Sequence, residues 1–308
     1  MAAFLSLVIF LILLIVVGVV AARFSRDTEE DYWLADRSFG KYFIGFSAGA
    51  SSASSFIMIG AVGVGYTLGV TALLLPLGAL LGDIIFWSIY PDKINRFART
   101  RGANTVPEML SMTAADNDRR LIRKAAALIT FPMISLYAGA QMLAAGKTMN
   151  TVMDIELKWG ILLSAVVVIG YCARGGLRAS IITQFVQAMI MLATSAGALI
   201  LATVIAGGPE QVMKSLYSID PTLLQFSGKT PVLFLVIMVV GFAAATLGLD
   251  LALPYLLVRM MATRSPGEAR QAGWIYITFV QGNWMAMTLF GIILRTIIPD
   301  IPNPHFFK

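Results

Sequence analysis

Phe46-Ser-Ala-Gly-Ala-Ser-Ser-Ala-Ser-Ser-Phe56 runs on through Ile-Met-Ile to Gly60-Ala-Val-Gly-Val-Gly-Tyr-Thr-Leu-Gly69, and this stretch decides how the chain folds. It lies inside an uncharged run from Tyr42 to Gly82, 41 residues long. At ~1.5 Å per residue that is about 60 Å of helix, twice a bilayer core of ~30 Å. Two spans fit there, and the first is loaded with small and hydroxylated residues. A lipid-facing anchor has no use for them. A helix that packs backbone to backbone does, and so does one that opens its backbone to coordinate something. A transport pathway is the first expectation.

Composition agrees. The chain is 58% hydrophobic and only 13% charged, with a mean hydropathy of +0.79, outside the range of soluble domains. Stretches poor in charge recur at 2–22, 42–70, 72–91, 125–146, 159–173, 179–206, 231–258 and 271–294. They predict an all-α membrane protein of about eight spans. The first is too long in its apolar run, and too poor in basic residues before it, for a signal peptide. Cys172 is the one cysteine, which excludes a disulfide framework. His305 is the one histidine, and the sequence has no metal-ligand cluster, nucleophile motif or phosphate-binding glycine loop. Those absences point away from an enzyme and from a bound cofactor.

The net charge of +6 has a topological explanation. With the amino terminus outside, the inside loops hold 17 of the 23 Lys and Arg residues, the asymmetry that orients multi-pass proteins. The expected surroundings are therefore a cell membrane, with no nucleic-acid partner. In the inside loop 92–124, Thr105-Val-Pro-Glu predicts a short interfacial helix over about 106–113, with Thr105 as cap. The outside loop 207–230 predicts an amphipathic helix over 209–217. Gly175-Gly176 reads as a tight inner turn.

The seventh span is the second unusual one. Gly248 and Pro254 flank Asp250 at mid-membrane depth, which predicts an interrupted helix. Transporters built from inverted five-helix repeats put their broken helices first in each repeat, and spans two and seven have that spacing. Both are expected to break, at about 51–55 and 246–251, and to lie against one another.

Four motifs in order carry a resemblance to a known family. They are Asp31-Tyr-Trp-Leu-Ala-Asp-Arg37-Ser38, Ser47-Ala-Gly-Ala50-Ser51, Gly175-Gly176-x-x-Ala179 with Gln187, and Pro254-x-x-x-x-Arg259-x-Met261-Ala262. Together they resemble the sodium/solute symporter family, its bacterial proline permeases above all, over about residues 28–290. The resemblance implies a LeuT-type inverted-repeat fold preceded by one extra helix, and solute uptake driven by sodium entry. Family members have about thirteen spans, so the chain is expected to be an amino-terminal fragment. Its parts would be a leading helix and inside loop (1–41), a first five-helix repeat (42–206), and an outside loop with two helices of the second repeat (207–308).

The resemblance also implies site residues. Ala50 and Ala53 match positions whose carbonyls ligate sodium, against the plainer reading of a tight packing face. Ser54, Ser55 and Phe56 match the substrate-facing segment, although serine hydroxyls often bond to their own helix. Thr246 and Asp250 stand where the permeases have aromatic substrate contacts, and Pro254 joins that set. Arg37 matches a residue linked to coupling, or is one more inside charge.

Asp250 also stands out by itself. A lone carboxylate at the bilayer centre costs ~2.5–3.5 kcal/mol, so it must face a pathway or a structural partner. Asp83 and Arg295 read as interface residues. Ser52 and Gln184 replace acids usual in the family, which leaves sodium and proton both open as coupling ion. The expected function is cation-coupled symport of a small organic solute, such as an amino acid or a carboxylate, by alternating access. The alternative is a solute-sensing membrane domain of a symporter-like histidine kinase. Oligomeric state has no signal in the sequence.

Overall fold

A computed structural model describes residues 2–26, 28–112, 120–227 and 230–300. His305, the tail 301–308 and parts of the loops 92–124 and 207–230 lie outside the described residues. Within them, α1 (Ala2–Ala22), α2 (Glu29–Leu34), α3 (Lys41–Ser52), α4 (Ala61–Leu68), α5 (Leu74–Ile89), α6 (Pro91–Arg101) and α7 (Val106–Ser111) come first. They are followed by α8 (Arg120–Met153), α9 (Leu157–Ile205), α10 (Pro209–Ile219), α11 (Val232–Ala252), α12 (Pro254–Met261) and α13 (Pro266–Ile297). Phe39 and Thr263 form an isolated bridge, and the described residues contain no strand.

Among the described residues, six segments are long and apolar enough to cross a membrane: Phe4–Ala22, Phe56–Arg101, Arg120–Met153, Gly175–Ile205, Val232–Ala252 and Pro266–Ile297. Leu157–Gly170 is a shorter apolar helix. The chain divides into two compact units.

The first unit comprises Met1–Ala48, Tyr90–Val186 and Pro254–Ala272. Its loops are tied rather than loose. Thr28 caps α2 by accepting from the Asp31 N–H at 3.2 Å, and Thr105 caps α7 from the Glu108 N–H at 3.3 Å, as the sequence predicts. Gly176 bends α9 with φ of 52°, and a β-carbon there would stand 2.5 Å from the Tyr32 carbonyl. Only glycine permits that close approach at that φ. Asn95 donates to the Met260 and Thr263 carbonyls at 2.7 and 2.9 Å, and Arg99 donates to the Thr263 and Arg264 carbonyls at 2.8 and 2.7 Å. Residues on α8 such as Leu128, Phe131 and Leu136 are mostly exposed, the surface expected of a lipid-facing helix.

The second unit comprises Gly49–Ile89, Gln187–Leu253 and Gly273–Lys308. Backbone-to-backbone contact organises it. A β-carbon on Gly65 would lie 2.2 Å from the Thr288 carbonyl, and one on Gly291 2.0 Å from the Val62 carbonyl, so α4 and α13 meet along a small-residue seam. α11 packs along α5, where Gly78 faces Val239 and Phe242, and Gly82 faces Ala243 and Thr246. α10 covers one end, with Val212 and Leu216 in an apolar cluster with Ala202, Leu223, Ile292 and Ile293.

Two expectations need correction. α11 runs unbroken through 246–251, and the break falls at Leu253, whose φ and ψ are −88° and 103°. Pro254 is the cause: its ring forces the preceding residue out of the helical region, whereas Gly248 is merely tolerated inside the helix. The packing partner of α11 is α5, not the 56–68 half of the second span. Its link to that segment runs through Trp284, whose ring meets Phe242 at 6.2 Å and Phe56 at 5.8 Å.

Candidate functional site

The helix that begins at Lys41 opens at Ala53 and Ser54 and resumes as a π-helical turn over Phe56–Gly60 before α4. The hydrogen bonds show what the opening does. In a continuous α-helix the Ser54 N–H would reach the Ala50 carbonyl. It donates instead to the Ser52 carbonyl at 2.7 Å. The Ile57 N–H would reach Ala53 and donates instead to Ser54 at 3.0 Å. The carbonyls of Ala50 and Ala53 thus lose their helical donors, at the two positions singled out from sequence. Beside them the Ser51 and Ser52 hydroxyl oxygens are buried without a hydrogen-bond partner. Carbonyls without their helical donors beside unpartnered hydroxyls are what a hard monovalent or divalent cation takes as ligands.

Ser54 and Ser55 lie half-buried at the opening, and Phe56 is 44% exposed with its edge against Trp284. Thr246 is set apart from this group. Its β-carbon lies 2.8 Å from where a β-carbon on Gly82 would stand, so it fills the α5–α11 contact.

Asp250, on the last turns of α11, is only 3% exposed, and its partner is another acid. Its carboxyl lies within hydrogen-bonding reach of the Asp83 carboxyl on α5. Asp83 is 1% exposed and accepts from the Gln281 amide at 2.7 Å. Asp250 Oδ2 and Gln281 Oε1 are both buried without a partner. Asp83, expected at an interface, is thus buried within the α5–α11 contact. It is a core residue because Gly82 lets the two helices close up next to it. Arg295, read with it as an interface residue, is half-buried and holds its guanidinium over the Tyr66 ring at 4.8 Å.

Arg37 belongs to a different arrangement, in the first unit. It follows Ala35 and Asp36 in three successive left-handed conformations, with φ of 52°, 53° and 50°. Its guanidinium bonds to Glu30 at 3.0 Å and to the Ala103 carbonyl at 2.9 Å. Nearby, Asp31 is fully buried and accepts from Ser25 at 2.8 Å, the Arg26 N–H at 2.6 Å and Arg178 Nε at 3.0 Å. Burial alone would raise the Asp31 carboxyl's pKa. The hydrogen bonds from Arg178, Ser25 and Arg26, with the Arg178 charge, outweigh it and hold the group below the usual carboxylate range. Pro254 opens α12, and Arg259, 2% exposed, donates to the Gln184 amide oxygen and to the Tyr255 carbonyl. Gln184 is thereby engaged as the partner of a buried cation.

Comparison with known proteins decides the lineage. The sodium:solute symporter family model matches residues 32–302. The chain belongs to the sodium:solute symporter family. It is 27% identical over 299 residues to the osmoregulated proline transporter OpuE of Bacillus subtilis, covering 95% of this chain and 57% of that protein. The high-affinity proline transporter PutP of the same organism is 26% identical over 269 residues, covering 86% of this chain and 54% of PutP. The chain thus spans little more than half the length of these relatives. Its fold is similar to the solved structure of a Na+-coupled sialic acid symporter in a substrate-bound, outward-open state. The TM-score is 0.79 at 19% identity, over 95% of this chain and 61% of the other. Family membership and the six apolar segments make this a multi-pass membrane protein.

In this family member the opening at Ala53 was visible in the sequence and Asp250 stood out there, but Asp83 and Gln281 as its neighbours did not. Signals for both were present. Asp83 ends the uncharged run directly after Gly82, and Gln281 is an amide inside the apolar stretch 271–294. Neither signal says which polar group meets which.

Proposed function

We propose that these helices work in a sodium-coupled symporter for a small organic solute, an amino acid or a carboxylate, operating by alternating access. In this reading the chain supplies the leading helix, the first five-helix repeat and the opening two helices of the second in a LeuT-type arrangement of about eight spans here. Its amino terminus lies outside. The observation that carries the reading is the opening at Ala53, where the Ala50 and Ala53 carbonyls are stripped of their helical donors. Those carbonyls take the sodium ion. Ser54, Ser55 and Phe56 face the solute one turn further on, and Asp250 borders the same pathway. Thr246 serves it through the α5–α11 contact, and Pro254 by setting the break at Leu253. Arg37 acts in coupling by locking the loop before α3. The proline transporters among the relatives put proline on the panel of solutes, while an acid at 250, where those permeases have an aromatic residue, favours a different solute with an amino group.

Uptake into proteoliposomes tests this. An inward sodium gradient should drive accumulation of a labelled solute from an amino-acid and carboxylate panel. Ala53→Val, which crowds the opening, should raise the sodium concentration needed for half-maximal uptake roughly tenfold, the equivalent of ~1.4 kcal/mol. Accumulation indifferent to the sodium gradient would remove sodium from the reading.

A further inference from the structure

We propose that Asp83 and Asp250 form a proton-binding dyad, holding one proton between them inside the membrane, with Gln281 fixing its orientation. The chemistry of the three side chains leads there. The aspartates bring only carboxyl oxygens, and Gln281 brings a single amide, one of whose two N–H groups serves Asp83 at 2.7 Å. Asp250 Oδ2 and Gln281 Oε1, both at least nine-tenths buried, point to a missing donor or cation at the same place.

Among the described residues of the elements that carry the pair in the second unit, no basic side chain supplies it. α5 holds no titratable group but Asp83, and α11 none but Asp250. The second unit's part of α13 holds Tyr276, which stacks on Trp87 at 4.7 Å, and Arg295. Arg295 stands over Tyr66, some four turns or ~20 Å along the helix from Gln281. The second-unit residues 49–68 hold only Tyr66, and 187–205 hold none.

Two carboxylates this close and this buried cannot both stay ionised without a counter-charge. The two acids lie buried on helices that Gly82 lets close up, within reach of each other, an arrangement that a single shared proton satisfies. A single proton turns one oxygen into a donor and joins the pair, and the pair then titrates as a unit. Loading requires one proton to enter from water with no other bond made or broken. Release requires the α5–α11 contact to loosen enough to hydrate the pair.

This deepens the reading of Asp250 given above, and its test needs no transport, so the two fail separately. Infrared spectroscopy of the purified protein in lipid should show the carbonyl stretch of a protonated carboxylic acid at neutral pH. The band should move in heavy water, fade as pH rises, and be indifferent to sodium. Asp250→Asn should abolish it, because the new amide donates to Asp83 and leaves that carboxylate ionised. Gln281→Leu, a change the membrane interior tolerates, should raise the pH at which the band fades by roughly one unit, the worth of one hydrogen bond to the charged form. A band absent at neutral pH, or abolished by sodium at constant pH, would identify a cation site and overturn the proposal. So would a band that survives Asp250→Asn, or a fading point that Gln281→Leu leaves where it was.

Discussion

Two buried acidic centres in this chain are opposites. Asp31, in the first unit, is enclosed by a guanidinium, a hydroxyl and a backbone N–H, every one a donor. Asp83 and Asp250, in the second, are enclosed by each other and an amide. Burial is the same, within 3% exposure, so the electrostatic neighbourhood alone separates them. A matched charge is a structural fastener. Removing either side strands the other in a low dielectric, and the loop is fixed in consequence. An unmatched acid pair gives the fold little and persists where a small positive species comes and goes.

The largest expected effect breaks the matched centre. Arg178→Met leaves Asp31 buried without its counter-charge, and should cost ~3 kcal/mol of stability, read as a lowered unfolding temperature in detergent. The unmatched centre should respond in the other direction. Replacing both acids, as Asp83→Leu with Asp250→Leu, should leave stability unchanged or raise it by about 1–2 kcal/mol, while any pH dependence of solute uptake is lost. A double variant as destabilised as Arg178→Met would erase the contrast.

Smaller effects sharpen the comparison. Ser25→Ala removes one of the hydrogen bonds to Asp31 and should cost ~1 kcal/mol. Acid should act through the same residue. Since the Asp31 carboxyl is held below its ordinary value in the fold, its contribution is complete above the unfolded value of ~3.9. That contribution disappears as pH falls through the lower folded value. Wild-type unfolding temperature should therefore decline below about pH 4, and Asp31→Asn should flatten that decline.

Much of this was legible in the chain. The cap at Thr105, the Gly176 bend and the opening at Ala53 are local, written in residues that meet their own neighbours. The break before Pro254 was legible but misplaced: the constraint a proline puts on its predecessor locates it at Leu253, and Gly248 drew it away. The acid pair was not legible. Asp83 and Asp250 meet only because Gly78 and Gly82 let α5 and α11 approach closely, and sequence order holds no trace of which helices pair. Gln184 shows the same limit from the other side. It looked like a lost ion-binding acid, and in the fold it serves the buried Arg259.

The most direct measurement is equilibrium binding of radiolabelled sodium to the purified protein in lipid. The opened carbonyls of Ala50 and Ala53 predict saturable binding that Ala53→Val weakens about tenfold and that Asp250→Asn leaves intact. Absence of saturable binding, or binding lost with Asp250→Asn and untouched by Ala53→Val, would contradict a sodium site at the opened helix.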